Sequence, residues 1–312
     1  MSSASAAPQA SRTLWSLVLN WNGLADTRRL LPSLLACRMP AGWRHHLLVI
    51  DNGSTDGSVA TLRTEFRDVE WLELPDNRMF AGGNNAGLSH ALAHGADAVM
   101  LINNDTQADP GLCEHLLLAL EQEPRAGAAA PLIYFGAPTR RIWYAGGRCL
   151  PALGHASHRG LRALDEGQWR VVEDTGYCTG CCVVALRAVW EQVGGLDERY
   201  YLYAEDADWS LRVRAAGLRL LFVPTARLWH EVSASSGASS PWKIYQRLRA
   251  NWRLFATHSR GLGALTWLPA FLAQQVVLAA WLAARGHLAA ALAVPRALFD
   301  AVRGRSPREV KP

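Results

Sequence analysis

The chain has 312 residues, half of them hydrophobic and 19% charged. That is enough for one large domain plus an appendage, and it excludes a fibrous or wholly disordered chain. The formal net charge of +5 is too slight to point to nucleic acid, but basic residues outnumber acidic ones from Ser239 onwards, which suits anionic lipid or phosphate.

In chain order, "MSSASAAPQAS" is small and polar. It reads as a loose tail over residues 1–12 and lacks the charged start and apolar run of a secretory signal, so the expected compartment is the cytosol. From Thr13, apolar runs alternate with helix-length segments. "LWSLVLNWNG" predicts a strand and turn, "LADTRRLLPSLLAC" a helix, "HHLLVIDNGSTDGS" a buried strand breaking into a loop, and "VEWLEL" a third strand. "GGNNAGLSHALAHG" predicts a glycine-rich approach to a helix, and "DAVMLINND" a fourth strand. Continuous apolar strands alternating with helices imply an α/β fold with a mostly parallel sheet covered on both faces.

The second half changes character. "AAAPLIYF" and "IWYAGGRC" predict short strands, and Gly154 to Gly167 a polar loop. "CTGCCVVALRAVWEQVGG" predicts a strand running into a short helix, followed by a helix from about Asp206 to Ala216 stopped by Gly217. "LRLLFVP" reads as a strand and "TARLWHEVSASSGASS" as a flexible loop. Beyond residue 239 the pattern is helical. Ala264 to Ala284 carries no charge and is flanked by Arg260 and Arg285. Its length approaches the roughly 20 residues of a membrane span, but Pro269, Gln274 and Gln275 interrupt it, which favours a position in the membrane interface. The six cysteines include one CxxC, in "YCTGCC". Without a second pair they read as buried, reduced thiols.

Ligands of open α/β sheets bind beyond the carboxyl ends of the strands, where Asn20-Trp21-Asn22, Asp51-Asn52-Gly53 and Asn103-Asn104-Asp105 are all expected. Each has a plain structural reading as a turn or helix cap. The functional readings are that Asp51 accepts a hydrogen bond from a base N–H, and that Asp105 supplies a hard oxygen ligand for Mg²⁺ or Mn²⁺, whose other ligands come from substrate phosphates. Gly82 and Gly83 allow close backbone approach to a ligand. Glu205, Asp206 and Asp208 crowd a helix start, either to suit the helix dipole or because clustered carboxylates raise one another's pKa, as a general base requires. His230 is either a structural residue at a strand end or a metal ligand.

Together "VLNWNG", "VIDNGSTDGS", "NRMFAGGNNAG", "LINNDT", "TGCCVVALRAVWEQVGGLDERYYLYAEDADWSLRVRAAG" and "WHEVSASSG" resemble the family-2 glycosyltransferases of GT-A fold, and among them bacterial rhamnosyltransferase-like members. The ordered set covers about Leu14 to Gly237 and is far more specific than any one piece. The resemblance implies that Asn20, Asn22 and Asp51 hold base and ribose, and that Asn77, Gly82, Gly83 and Asn85 line the nucleotide pocket. Asn103-Asn104-Asp105 stands in place of the DxD motif, with Asp105 and His230 on the metal and Asp206, in the Glu205-Asp206 pair, as the base. Asn103 replaces the first Asp of that motif, which lowers the expected metal affinity.

These readings lead to three expected regions: a tail at 1–12, a GT-A domain at 13–238, and a helical, membrane-associating extension at 239–312. The implied donor is a nucleotide-diphosphate sugar, with dTDP-rhamnose the candidate. The implied acceptor is a saccharide, polyprenyl-linked, at the cytoplasmic face of a bacterial inner membrane. A sugar nucleotidyltransferase and a non-catalytic membrane scaffold with a degenerate transferase fold are the alternatives.

Overall fold

The computed structural model describes residues 11–231 and 240–305. Most of the expected N-terminal tail and the Ser/Gly segment at 232–239 lie outside the described residues. Arg12, placed in that tail from sequence, opens the first strand and donates its N–H to the Gly42 carbonyl.

The first half folds as its apolar pattern dictates. β1 (Arg12–Asn20), β2 (Trp43–Asp51), β3 (Glu70–Glu73) and β4 (Ala98–Asn103) form a parallel sheet in the order β3-β2-β1-β4. Their connections are α1 (Leu24–Leu35), α2 (Ser58–Glu65) and α3 (Met79–Ala93). Most of β1 and all but the last residue of β4 are buried, as strands covered on both faces must be. α1 turns Thr27, Leu30, Leu31 and Leu34 inwards, the i, i+3, i+4, i+7 stripe of an amphipathic helix.

Four corrections to the sequence reading follow. The sheet is mixed beyond β4. After β5 (Thr106–Ala108), α4 (Leu112–Gln122), β6 (Ala126–Phe135), β7 (Ile142–Tyr144), β8 (Gly147–Leu150), β9 (His155–His158) and β10 (Glu173–Asp174), the strand β11 (Cys182–Leu186) enters between β4 and β6, antiparallel to both. β9 lies inside the segment read as a polar loop and pairs with β8. α3 begins at Met79, so Gly82 and Gly83 are inside the helix, where an added Cβ on Gly83 would meet Leu19 Cδ1 at 2.5 Å. After α5 (Arg187–Val193) and α6 (Glu205–Ala215), β12 (Arg219–His230) runs on through Thr225 to His230, the first part of the segment read as a flexible loop. A register shift between Val223 and Arg227 accommodates Pro224, and the second half of β12 regains pairing with both β6 and β5.

The chain ends in α7 (Pro241–His258), α8 (Gly263–Ala284) and α9 (Leu288–Val302). These helices share a core with the α/β part: Tyr177, Tyr200 and Leu211 pack with Leu248, Phe255 and Phe271. α8 is long and apolar enough to cross a membrane, and only 17% of its most apolar stretch is buried. It packs through Trp267, Phe271, Gln275 and Leu282, while Leu265, Val276, Val277 and Trp281 face outwards.

The loop after β2 is set by Gly53. Its φ is +74°, and an added Cβ would lie 2.8 Å from the Asp76 carbonyl carbon. Gly53→Ala would combine an unfavourable φ with a backbone collision. The expected loss is roughly 1–3 kcal/mol, read as a lower urea midpoint at unchanged slope.

Candidate active site

Strand register brings the candidate residues to one rim. Asn20 is opposite Asp51, and Asn103 is opposite Leu19, at the carboxyl ends of β1, β2 and β4. Beyond this rim lies a cleft of about 630 Å³. Asn103, His230, Gly180, Glu205 and Asp206 line it, with Arg247 and Asn251 on the α7 side.

Asp105 and His230 are brought together by backbone pairing. β5 pairs with the end of β12, and the Glu231 N–H donates to the Asp105 carbonyl at 2.8 Å. His230 Nε2 then lies 3.1 Å from Asp105 Oδ1. The ring meets Trp143 edge-to-face, with centroids 4.6 Å apart. His230 Nδ1 is buried and has no hydrogen-bond partner. Among the described residues no three His, Cys, Asp or Glu side chains gather as a metal cage. Asp105 Oδ1 and His230 Nε2, side by side, nevertheless fit a divalent cation that takes its other ligands from substrate oxygens.

Asp206 is fixed by the turn preceding β11. The Gly180 N–H donates to Asp206 Oδ2 at 2.8 Å, and the Ala207 N–H to Oδ1 at 2.7 Å. The next residue of the same turn, Cys181, accepts the Asn103 N–H at 2.9 Å. All six cysteines are buried and free of disulfides, and burial raises the thiols of Cys178, Cys181 and Cys182. Burial also raises Asp206 above the ordinary carboxylate range, against the pull of the Gly180 and Ala207 N–H groups. Its neighbour Glu205 is 7% exposed and its Oε2 has no partner. Burial and the Asp206 charge push Glu205 up to about 8. Of the pair, the carboxylate that receives backbone N–H groups is the one that ionises. Just before them, Tyr203 and Ala204 adopt φ of +73° and +67°, strain of order 1–3 kcal/mol each that the surroundings must hold.

Asp208 has a structural role. Arg212 Nε lies 2.9 Å from it and His258 Nε2 2.7 Å, the latter tying α7 to α6.

The remaining predicted residues form a frame. Asn20 is fully buried. Its Nδ2 lies within 3.2 Å of Asp51, Ser54 and Ser58, and its Oδ1 accepts from Thr27. Asn20 therefore stands behind Asp51, whose other oxygen accepts the Ser54 N–H at 3.0 Å. Asn22 is exposed and accepts the Thr55 N–H. Asn77 joins Asn52 and the Met79 N–H. Asn85 clamps Leu196 and Glu198. Asn104 donates to Thr27. Asn52, placed at the rim from sequence but given no role there, is 2% exposed and bonds Asn77, Arg78 and Met79. Its place beside Asp51 was its only signal. Gly180 was missed because a backbone N–H leaves no mark in sequence.

Comparisons with known proteins show the family and the fold. The family model described as "Glycosyl transferase family 2" matches residues 20–194. An N-acetylglucosaminyl-diphospho-decaprenol L-rhamnosyltransferase of Mycobacterium tuberculosis is 30% identical over 233 residues, covering 67% of this chain and 73% of that protein. A dTDP-rhamnosyl transferase of Shigella flexneri is 23% identical over 218 residues, covering 65% and 68%. Among solved structures, GalNAc-T7 with UDP, GalNAc and Mn²⁺ aligns at TM-score 0.65 and 14% identity, over 81% of this chain and 49% of that one. A Pyrobaculum calidifontis mannosyltransferase with GDP-Man and Mn²⁺ aligns at 0.59 and 15%, over 96% and 90%. At such identities the structural likeness establishes the fold, GT-A.

Because the folded state raises Glu205 from 4.5 to about 8, it holds a proton that the unfolded chain releases. This contribution to stability is present below about pH 4.5 and fades as pH rises towards 8. Glu205→Gln, which cannot ionise, is expected to melt a few degrees above wild type at pH 8. The gap should shrink towards pH 5 in thermal melts across that range.

Proposed function

The chain belongs to glycosyl transferase family 2, and from that premise we propose that it transfers a sugar from a nucleotide-diphosphate donor to a saccharide acceptor with inversion. Family membership speaks against the nucleotidyltransferase alternative, and the retained Asp51, Asp105 and Asp206 set against the scaffold. The observation that carries the mechanism is the presence of Asp206, Asn103 and His230, the last paired with Asp105, along one cleft.

The acceptor hydroxyl attacks the anomeric carbon and gives its proton to Asp206. The bond to the donor diphosphate breaks on the opposite face. A single displacement needs one base, and Asp206 is suited to it: burial raises its basicity, while two backbone N–H groups keep it ionised and aimed. Glu205, retained as a neutral acid, leaves Asp206 as the sole negative charge of the pair. Asp51, held by Asn20 and Ser54, is placed to accept from the nucleotide base or ribose, with Asn22 and Asn77 beside it. Asp105 and His230 would hold a Mg²⁺ or Mn²⁺ ion, which when bound neutralises charge on the leaving diphosphate. The mixed oxygen and nitrogen donors favour Mn²⁺.

The Mycobacterium and Shigella relatives make a rhamnose donor, dTDP-rhamnose, the first to test, and the former makes a polyprenyl-diphosphate saccharide the first acceptor. The outward apolar face of α8 supports seating at an anionic membrane surface. Trp281 with Arg285 at 5.0 Å is an aromatic–cationic pair suited to an interface. One stripe of α8 stays packed on the protein, and Thr266 and Gln274 bond the carbonyls of Ala152 and Leu153. This favours a helix lying in the interface over a free span.

With a panel of sugar nucleotides and Mn²⁺, the purified protein should release a nucleoside diphosphate in the presence of acceptor. Release of pyrophosphate from a nucleoside triphosphate would contradict the reading. Asp206→Asn should lower turnover roughly 10²–10⁴-fold with donor binding retained. Full activity in that variant removes the assigned base. Val276→Glu with Val277→Glu should reduce flotation with anionic vesicles while leaving transfer to a soluble acceptor intact.

A further inference from the structure

A second cavity of about 250 Å³ lies between α7, the end of α9 and the segment Arg199 to Leu202. It is several times the ~30 Å³ share of one water molecule. Four arginines line it, Arg199, Arg249, Arg253 and Arg305, and no acidic residue does. Two of the four charges are matched: Arg199 forks onto Asp197 at 2.6 Å, and Arg305 is 3.1 Å from Asp300. Arg249 and Arg253 have no ion pair among the described residues. Arg249 is 8% exposed, and its partners are the Tyr245 hydroxyl and the Arg305 carbonyl. Arg253 stands over the Tyr200 ring, 5.9 Å from its centroid. The nearby Asp208 is already engaged by Arg212 and His258.

Four guanidinium groups share two nearby carboxylates, Asp197 and Asp300, the latter reached from Arg249 through the Tyr245 hydroxyl, and the surplus positive charge is costly to bury unless an anion meets it. The planar fork of arginine suits phosphate oxygens in particular. The cavity is not part of the catalytic cleft, since only Leu202 lines both. The wall between them is one continuous segment. Arg199 to Leu202 face the arginine cavity, and Leu202 to Asp206 face the cleft. That wall contains the strained Tyr203 and Ala204.

We propose that this cavity is a second, non-catalytic site for a phosphate or diphosphate group, and that filling it fixes the wall it shares with the catalytic cleft. The inference rests on the arginines and the cavity and is independent of the donor and acceptor assigned above. A lipid headgroup and a soluble phosphate carry the same chemistry, and exposed Phe299 and Val302 near the end of α9 suit the former.

Calorimetric titration of the full-length protein, free of divalent metal, with inorganic pyrophosphate and separately with short-chain phosphatidic acid tests the site and tells the sources apart. At least one probe is expected to bind. Arg253→Gln should weaken it about tenfold, or ~1.4 kcal/mol. Arg247→Gln, which alters the catalytic cleft instead, should leave it unchanged. Arg253 is half-buried and its removal spares the contacts of Arg249 with α9, so the variant is expected to keep the wild-type melting temperature. Amide hydrogen exchange over residues 199–204 should slow on binding in wild type and not in Arg253→Gln. If neither probe binds, or if Arg247→Gln abolishes binding and Arg253→Gln does not, the site is refuted. Binding with unchanged exchange refutes the coupling to the wall.

Discussion

The arrangement depends on three residues, Thr179 to Cys181, that form the turn before β11. The Gly180 N–H of this turn holds the Asp206 carboxylate, and the Cys181 carbonyl holds the end of β4 at Asn103. The two ends of the cleft are therefore fixed by neighbouring residues of one short turn. Gly180 suits the close packing there: an added Cβ would lie 3.1 Å from a Phe80 ring carbon and 3.3 Å from Asp206 Cβ, so those neighbours would have to give by a few tenths of an ångström. The reversal of β11 between two strands of opposite direction delivers this turn to the carboxyl rim of the parallel sheet. A sheet parallel throughout would have carried the start of that strand to the other edge.

Electrostatics then divides labour between two adjacent carboxylates. Glu205 is buried with an unpartnered oxygen, and Asp206 is met by backbone dipoles. A low-dielectric site tolerates one charge better than two. Asp208, two residues on, avoids the competition by pairing with Arg212 and His258. Three acids in four residues thus take three states: one neutral, one poised and one neutralised by partners.

Much of this was legible in the sequence, and the limits have physical causes. The strands β1, β2 and β4 announce themselves because burial on both faces requires uninterrupted apolar runs. The Asn and Asp clusters follow because loops at strand ends carry polar residues that cannot be buried unpaired. β9 was hidden because "HASH" has no apolar residue longer than Ala, and pairing with β8 decides it. β12 was cut short at Pro224, whose missing N–H a register shift absorbs. Gly82 and Gly83 suggested a ligand-facing loop, whereas their helix uses the missing side chains to approach Leu19, Asn52 and Arg78. Asn20 and Asn85 carry the right chemistry, but only coordinates reveal that their amides are spent on the protein itself. Tyr203 and Ala204 gave no warning, since strained φ values outside glycine are imposed by tertiary contacts.

The stretch recognised by the family model stops at residue 194, before Asp206, His230 and the whole of α7. The rim around Asp51 falls within that stretch, while Arg247, Asn251 and Leu254 close the cleft from beyond it. The cleft is thus assembled from stretches far apart in the chain, so a change confined to α7 can reshape one wall while the register of β1, β2 and β4 at the rim stays as it is.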